Sequence, residues 1–365
     1  MDMANMEKRY KHASEVKEYL GLSAEEEKML ENIISVFPMA VPSYYLSLID
    51  PRDPDDPIRK MAIPSVRESD WDGALDTSGE ADNTVEVGLQ HKYSQTALIL
   101  STNHCAMYCR HCFRKRLVGM SDEEISKNFD SAVRYISQNT EISNVLISGG
   151  DSFMLSDTMI EKYLAAFTAM DHLDLIRFGT RIPVVLPDRV LKDQRLQEIL
   201  RTYAPKKQIY IVTHFNHPRE LTPSSRAVIR LFNEMGIIVK NQTVLLKGVN
   251  DDPMVLGTLL RELTVAGVVP YYVFQCRPVR GVKNQFQVPL RRGAEIVDGA
   301  KNMQNGQGKC IRYIMSTPRG KVEIIGSLSP EEMIFKFHQA KDPADASRIF
   351  TCPVTEDHAS IPLEA

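Results

Sequence analysis

The sequence predicts an α/β protein. The expected core is a partial (β/α)6 barrel, with a helical N-terminal extension before it and a small C-terminal segment after it. Three observations carry this. From residue 96 onward six short, apolar, β-rich runs appear: "TALILS" (96–101), "NVLISG" (144–149), "LIRFGT" (175–180), "QIYIVT" (208–213), "IIVKNQTVLL" (237–246) and "VVPYYVFQ" (268–275). Stretches of helical character, such as "EISKNFDSAVRYISQN" and "SSRAVIRLFNEMG", lie between them, and strands alternating with helices argue for βαβ units and a parallel sheet. Six such units favour a partial barrel over a doubly wound sheet. Polar residues also gather just after the runs: His104, Gly149-Gly150-Asp151, Arg181, His214-Asn216-His217 and Arg277. The C-terminal ends of the strands are where barrel enzymes place their chemistry.

Residues 1–90 read as a helical extension and a connection. "SAEEEKMLENIISVF" opens with a capping box, Ser23 with Glu26 three residues on, and carries apolar residues at helical spacing. "DPRDPDDPIRKM" is a turn-rich break punctuated by Pro51, Pro54 and Pro57. "RESDWDGALDTSGEADNTVEVG" is polar and acidic and is expected to run extended over the surface of the barrel. Residues 91–280 hold the barrel. Residues 281–365 begin with a helix, "PLRRGAEIVDGAKNMQ". Two β segments come next, "CIRYIMS" and "VEIIGS", joined by the turn "TPRGK", and then a weakly patterned tail. Repeats and low-complexity segments are absent.

Composition narrows the class. The chain has 365 residues, 43% hydrophobic and 25% charged, as in ordinary globular proteins, and its formal net charge of −3 argues against a nucleic-acid or membrane partner. The opening "MDMANMEKRYKHASEV" lacks an apolar core of signal-peptide length, and no run of about 18 apolar residues occurs to span a membrane. The expected location is the cytoplasm, where clustered cysteines more often bind metal than form disulfides.

Three of the six cysteines cluster in "HCAMYCRHCFRKR": Cys105, Cys109 and Cys112, spaced C-x3-C-x2-C. Structural zinc sites want four ligands, and no second thiol pair exists, although His104 or His111 could serve as a fourth. Three thiolates with one open position fit an iron–sulfur cluster whose fourth iron is left for a small ligand. The intervening cations Arg110, Arg114, Lys115 and Arg116 are expected to help keep the thiolates charged. They also read as a solvated basic patch or a nucleic-acid contact. Spacing alone leaves cluster, zinc and no metal all open. Cys276, Cys310 and Cys352 read as small buried hydrophobes.

C-x3-C-x2-C just after the first barrel strand, with "ISGGD" after the second, resembles the radical S-adenosylmethionine superfamily. "CAMYCRHCFRKRLVG", "LISGGDSFMLSD", "RFGTRIPVVLPDRV", "THFNHPREL", "VKNQTVLLKGVNDD" and "PYYVFQC" together resemble the lysine 2,3-aminomutase family over roughly residues 90–300. The resemblance implies an isomerase that moves an α-amino group to the β-carbon, using a 4Fe-4S cluster, S-adenosyl-L-methionine and pyridoxal 5'-phosphate. It implies that Cys105, Cys109 and Cys112 ligate iron. Gly149, Gly150 and Asp151, with His111 and Gln242, lie near S-adenosylmethionine, and Lys92 and Tyr93 near the pyridoxal phosphate group. Lys321 is implied as the catalytic lysine that stores the cofactor as a Schiff base, and Arg114 as the partner of the substrate α-carboxylate, a task suited to the guanidinium fork. His214 and His217 receive no role.

Departures from the family concern the substrate first. Lysine-specific members place two aspartates around the distant ammonium; here those positions are Arg277 and Ser316, and Arg280 adds another positive charge. A buried ammonium facing Arg277 would cost several kcal/mol. An acidic amino acid such as L-glutamate therefore fits, with aspartate open, and glutamate 2,3-aminomutases replace the same two aspartates, though by other residues. Arg277 could instead pair with a local carboxylate. Other departures touch the cofactor: Thr96 stands for a phosphate-binding arginine, Phe274 for a tyrosine near the ring, and the turn before Lys321 is two residues shorter. The C-terminal cysteines that bind an interface zinc in some members are missing. The alternatives are a lysine 2,3-aminomutase, an aminomutase acting on a protein lysine, and, outside enzymes, an iron–sulfur or zinc binding protein. Expected partners are a small amino-acid substrate, a reductant such as flavodoxin or ferredoxin, and further copies of the chain in a homo-oligomer.

Overall fold

Alternation along the apolar runs dictates the architecture. A computed structural model describes residues 7–361; the first six residues, which belong to the stretch read for a leader, and the last four of the tail lie outside it. All six runs form strands: β5 (Thr96–Thr102), β6 (Asn144–Gly149), β7 (Leu175–Gly179), β8 (Gln208–Thr213), β9 (Ile238–Leu245) and β10 (Val269–Gln275). They are parallel and adjacent in chain order, which is the singly wound order of a barrel. A short pair, β1 (Arg9–Tyr10) with β2 (Val41–Pro42), ties the start of the extension to its later part.

The sheet continues beyond the six on both sides. The strands β3 (Thr84–Glu86) and β4 (Leu89–Tyr93) add antiparallel to β5. β11 (Arg312–Thr317) adds parallel to β10, and β12 (Gly320–Ser327), β13 (Glu332–Ala340) and β14 (Ile349–Pro353) add antiparallel in turn. The result is a twelve-stranded sheet with β3 and β14 at its edges. It curls on itself: Lys92 of β4 donates its Nζ to the carbonyl of Thr317 at 2.7 Å, although β11 lies seven places along the sheet order.

A period of two assigns the faces. Residues 144, 146 and 148, then 175, 177 and 179, then 210, 212 and 214, then 240, 242 and 244 line one central cavity. Their neighbours Val145, Ile147, Ile176, Phe178, Ile209 and Ile211 are fully buried on the other face, in one core with Leu164, Leu196 and Val228 of the covering helices. Each such side chain contributes about 1.5–3 kcal/mol by leaving water. A second core gathers around the C-terminal strands, including Met333, Phe335 and Phe337 of β13. Among the described residues no helix is long and apolar enough to cross a membrane.

Local signals explain most boundaries. The capping box at Ser23 forms as expected, with Glu26 N donating to Ser23 Oγ and Ser23 N to Glu26, and starts the helix Ala24–Val36. The helix expected from residue 124 begins only at Phe129, because Asn128 caps it and Ser126 N is held by the Leu100 carbonyl. The turn-rich break contains a short helix, Pro57–Ala62, whose first amides are capped by the buried Asp56.

One expectation fails in an informative way. The acidic connection does not simply run over the surface. Glu68, Ser78, Glu80 and Asn83 are buried, and the last three reach the central cavity. Cations of the cysteine loop hold Glu68 and Glu80 inside.

Candidate active site

The cysteine loop follows β5 and is fastened from several sides. Tyr108 N donates to the Ala40 carbonyl and Arg110 N to the Met61 carbonyl, both in the extension. Gly150 N donates to the Thr102 carbonyl and Asp151 N to the His104 carbonyl, which press the end of β6 against the loop. A Cβ at Gly149 would sit 2.4 Å from the Thr102 oxygen, and one at Gly150 2.3 Å from the His104 oxygen, so only glycine allows this approach. Burial pushes the Cys112 thiol up to about 11, with Cys109 adding to it, and also raises Cys105 well above the usual thiol range. Without a cation to hold their charge these thiols are neutral. Among the described residues no three His, Cys, Asp or Glu side chains are grouped to hold one metal ion. In an iron–sulfur cluster each thiolate would take its own iron.

The cations around the thiols are largely neutralised from within the protein. Arg110, 2% exposed, and Lys115 both donate to Glu68 Oε2 at 2.5 Å. Arg114 places Nε and Nη2 on Glu80, at 3.0 and 2.7 Å, and Arg116 bridges Glu80 and Glu124. They form no solvated patch. Burial raises the Glu80 pKa, yet Arg114 and then Arg116 override it and hold the carboxyl at about 2. Arg181, from the loop after β7, is the cation placed directly on a thiol, with Nη1 2.9 Å from Cys109 Sγ.

The cavity has a volume of about 440 Å³. His111, Arg114, Gln242, Lys92, Tyr93, Arg277, Ser316 and Lys321 all line it, while Cys105, Cys109, Cys112, Gly149, Gly150 and Asp151 lie outside its wall, in the loop and strand end just described. His111 and His214 are uncharged: burial and then Arg181 lower both, His214 to about 4. His111 Nδ1 is buried without a hydrogen-bond partner, and Gln242 donates to the Tyr271 hydroxyl.

Lys321 stands on β12 opposite Ser316 of β11, with Nζ donating to Gln339 Oε1 at 2.6 Å and lying 4.7 Å from the Tyr93 ring centroid. Burial, and then the cations Arg177, Lys92 and Arg277, together lower its pKa to about 7. Lys92 is lowered to about 8, chiefly by burial, and its ammonium is held by the carbonyls of Ser78 and Thr317.

Arg177 and Lys240 fall within "RFGTRIPVVLPDRV" and "VKNQTVLLKGVNDD" but received no role from the sequence, yet both line the cavity. Arg177 donates to Asn144 Oδ1 at 2.5 Å, Asn144 donates to Thr96 Oγ1 at 3.1 Å, and Arg177 Nε is buried without a partner. Lys240 sits over the rings of Tyr210 and Tyr271, at 5.0 and 5.2 Å. Each occupies the inward phase of its strand, and an arginine or lysine in phase with Gln242 is the signal that could have revealed them.

Arg277 follows β10. It is stacked 4.1 Å over the Phe113 ring and bonds the Ser78 hydroxyl, and among the described residues no carboxylate lies within the 4.0 Å of an ion pair. Arg280 departs from expectation. Its guanidinium lies over Trp71 at 5.5 Å and does not line the cavity. Six lysine or arginine side chains thus face the cavity with one carboxylate, Glu80, already engaged. The cavity is built for anions. An orphaned Arg177 Nε beside a hydroxyl and an amide suits a phosphate, and a poorly protonated lysine suits a carbonyl, so the residues fit pyridoxal phosphate.

Residues 99–256 match the radical SAM superfamily. The chain is 39% identical to a putative L-lysine 2,3-aminomutase of Aquifex aeolicus, over 94% of this chain and 92% of the relative. It is 37% identical to the L-lysine 2,3-aminomutase of Clostridium subterminale, over 86% of this chain and 74% of that one. The chain belongs to the lysine 2,3-aminomutase family of radical SAM enzymes. A glutamate 2,3-aminomutase of Clostridioides difficile is 36% identical, over 82% of this chain and 70% of the relative. Family membership makes the chain an isomerase that uses a 4Fe-4S cluster, S-adenosylmethionine and pyridoxal phosphate.

Proposed function

We propose that this family member is a 2,3-aminomutase for an acidic amino acid, with L-glutamate the first candidate. One observation carries the reading. Arg277 is a half-buried cation on the cavity wall with no carboxylate paired to it among the described residues. A substrate carboxylate would complete it; a lysine ammonium would be repelled.

The bound groups supply the reactive chemistry: cluster and S-adenosylmethionine a radical that removes hydrogen, pyridoxal phosphate a carbonyl that carries the amino group. The chain's own residues hold and orient. Cys105, Cys109 and Cys112 would hold the cluster, and Gly149, Gly150, Asp151, His111 and Gln242 would lie near S-adenosylmethionine. Lys321, with its pKa lowered to about 7, would be the lysine that holds the cofactor carbonyl. Arg177 and Lys240, with Thr96 and Asn144, would take the phosphate, standing in for the arginine that Thr96 replaces. Glu80 fixes the Arg114 plane, leaving the Nη1 edge, held only by contacts of 3.3 and 3.4 Å to Ser148 and Gly149, for the α-carboxylate. Ser316, beside Lys321, offers a neutral hydroxyl near the substrate side chain.

The lysine reading rests on the names of most relatives. An anaerobic amino-acid panel separates the two. Glutamate should give β-glutamate by NMR and lysine should give little. Good turnover of lysine with none of glutamate or aspartate would overturn the acidic reading.

A further inference from the structure

We propose that Arg181 is a positioning residue that sets the reduction potential of the cluster, and that Glu220 and Tyr45 hold it to that task. The geometry is specific. Arg181 Nη1 lies 2.9 Å from Cys109 Sγ. Nη2 donates to Glu220 Oε1 at 2.5 Å and to the Tyr45 hydroxyl at 3.3 Å, and Nε donates to the His214 carbonyl at 3.0 Å. The backbone N–H of Arg181 donates to Asp151 Oδ2 at 2.7 Å, which ties the same residue to the glycine-rich strand end. Tyr45 and Glu220 are fully buried, and Tyr45 donates to Glu220 at 2.6 Å. Glu220 is fixed in turn by the amides of Asn216 and His217. The guanidinium therefore cannot turn away from the thiol.

Reduction of the cluster adds one electron from an external low-potential donor and no proton, so three thiolates and four irons gain one negative charge. A charged N–H on a ligand sulfur, in a buried setting, favours the more negative state and raises the potential. The loop's own cations Arg110, Arg114, Lys115 and Arg116 are paired with Glu68, Glu80 and Glu124. Glu220 has the opposite influence, since its charge offsets Arg181. Tyr45 belongs to the N-terminal extension, so the extension takes part in tuning the cluster.

The inference rests on the three cysteines holding a cluster, and iron content tests that part separately. The full chain, reconstituted anaerobically, is titrated without S-adenosylmethionine while the reduced cluster is followed by EPR. Arg181→Met should load iron as the parent does and become harder to reduce. At a fixed potential the reduced-to-oxidised ratio should fall about tenfold, a shift of about 59 mV for a one-electron couple. Glu220→Gln should move the midpoint the other way, and Arg181→Lys should recover part of the loss. A purely structural role would not give opposite signs. If Arg181→Met fails to load iron, Glu220→Gln and Arg181→Lys decide. Midpoints equal to the parent in iron-loaded variants would overturn the proposal.

Discussion

An amine with an ordinary pKa is protonated at neutral pH and cannot attack a carbonyl, so the placement of Lys321 matters more than its identity. Burial and the cations Arg177, Lys92 and Arg277 bring it to about 7. The free lysine value lies above this, so the folded chain binds fewer protons between the two values, and the cavity favours the neutral amine there. Pyridoxal phosphate uptake by the apo-enzyme should therefore quicken as pH rises through about 7 and level off above it. Stopped-flow absorbance near ~420 nm, the band of a lysine Schiff base, reads this directly. Lys321→Ala should lose the band, and Lys92→Met, by removing one neighbouring cation, should move the midpoint upward. Arg277 obeys a different rule. A charge-assisted hydrogen bond to a substrate carboxylate contributes about 1.5–3 kcal/mol. Arg277→Gln should then lower kcat/KM for glutamate by about 10- to 100-fold, while iron content and the ~420 nm band stay intact. An unchanged kcat/KM would remove Arg277 from the substrate site.

At the scale of elements, strands and their inward phase decide what the cavity holds. Arg177 on β7 and Lys240 on β9 face the same space as Gln242. If they seat the phosphate, Arg177→Gln and Lys240→Gln should each weaken pyridoxal phosphate binding about tenfold, the loss of one charged contact. Pyridoxal, which lacks the phosphate, should bind parent and variants alike, and equal losses for both ligands would place the phosphate elsewhere. The six barrel strands are legible in the sequence because buried apolar runs flanked by helical stretches have few other readings. Strand β13 is not, although Met333, Phe335 and Phe337 alternate in burial with Ile334, Lys336 and His338, since apolar Ile334 blurs the pattern and the strand comes after a turn-rich segment. The acidic connection misleads for a stronger reason. Glu68 and Glu80 look like surface acids in sequence, and their partners Arg110 and Arg114 lie 42 and 34 residues away. A buried charge becomes recognisable only once the fold brings its partner to it.

For the whole molecule, the extension is part of what holds the cysteine loop. Tyr45, Glu68 and Glu80 come from before the first barrel strand, and each meets the cysteine loop or the arginine beside it. Glu68 is the most exacting case. It is 1% exposed and neutralises both Arg110 and Lys115, and Arg110 also donates to the carbonyls of Pro38 and Phe37. Burial and Arg110 lower Lys115 to about 8 even though Glu68 supports its charge. Removing the carboxylate leaves two buried cations facing each other, a class of change that costs about 3–5 kcal/mol. Glu68→Ala should unfold at distinctly lower urea and load less iron than the parent. Lys115→Met is the control, because Glu68 still pairs with Arg110 and no charge is left alone. It should stay close to the parent in both measurements. Equal losses in the two variants would mean that packing around the loop, not charge balance, holds the extension in place.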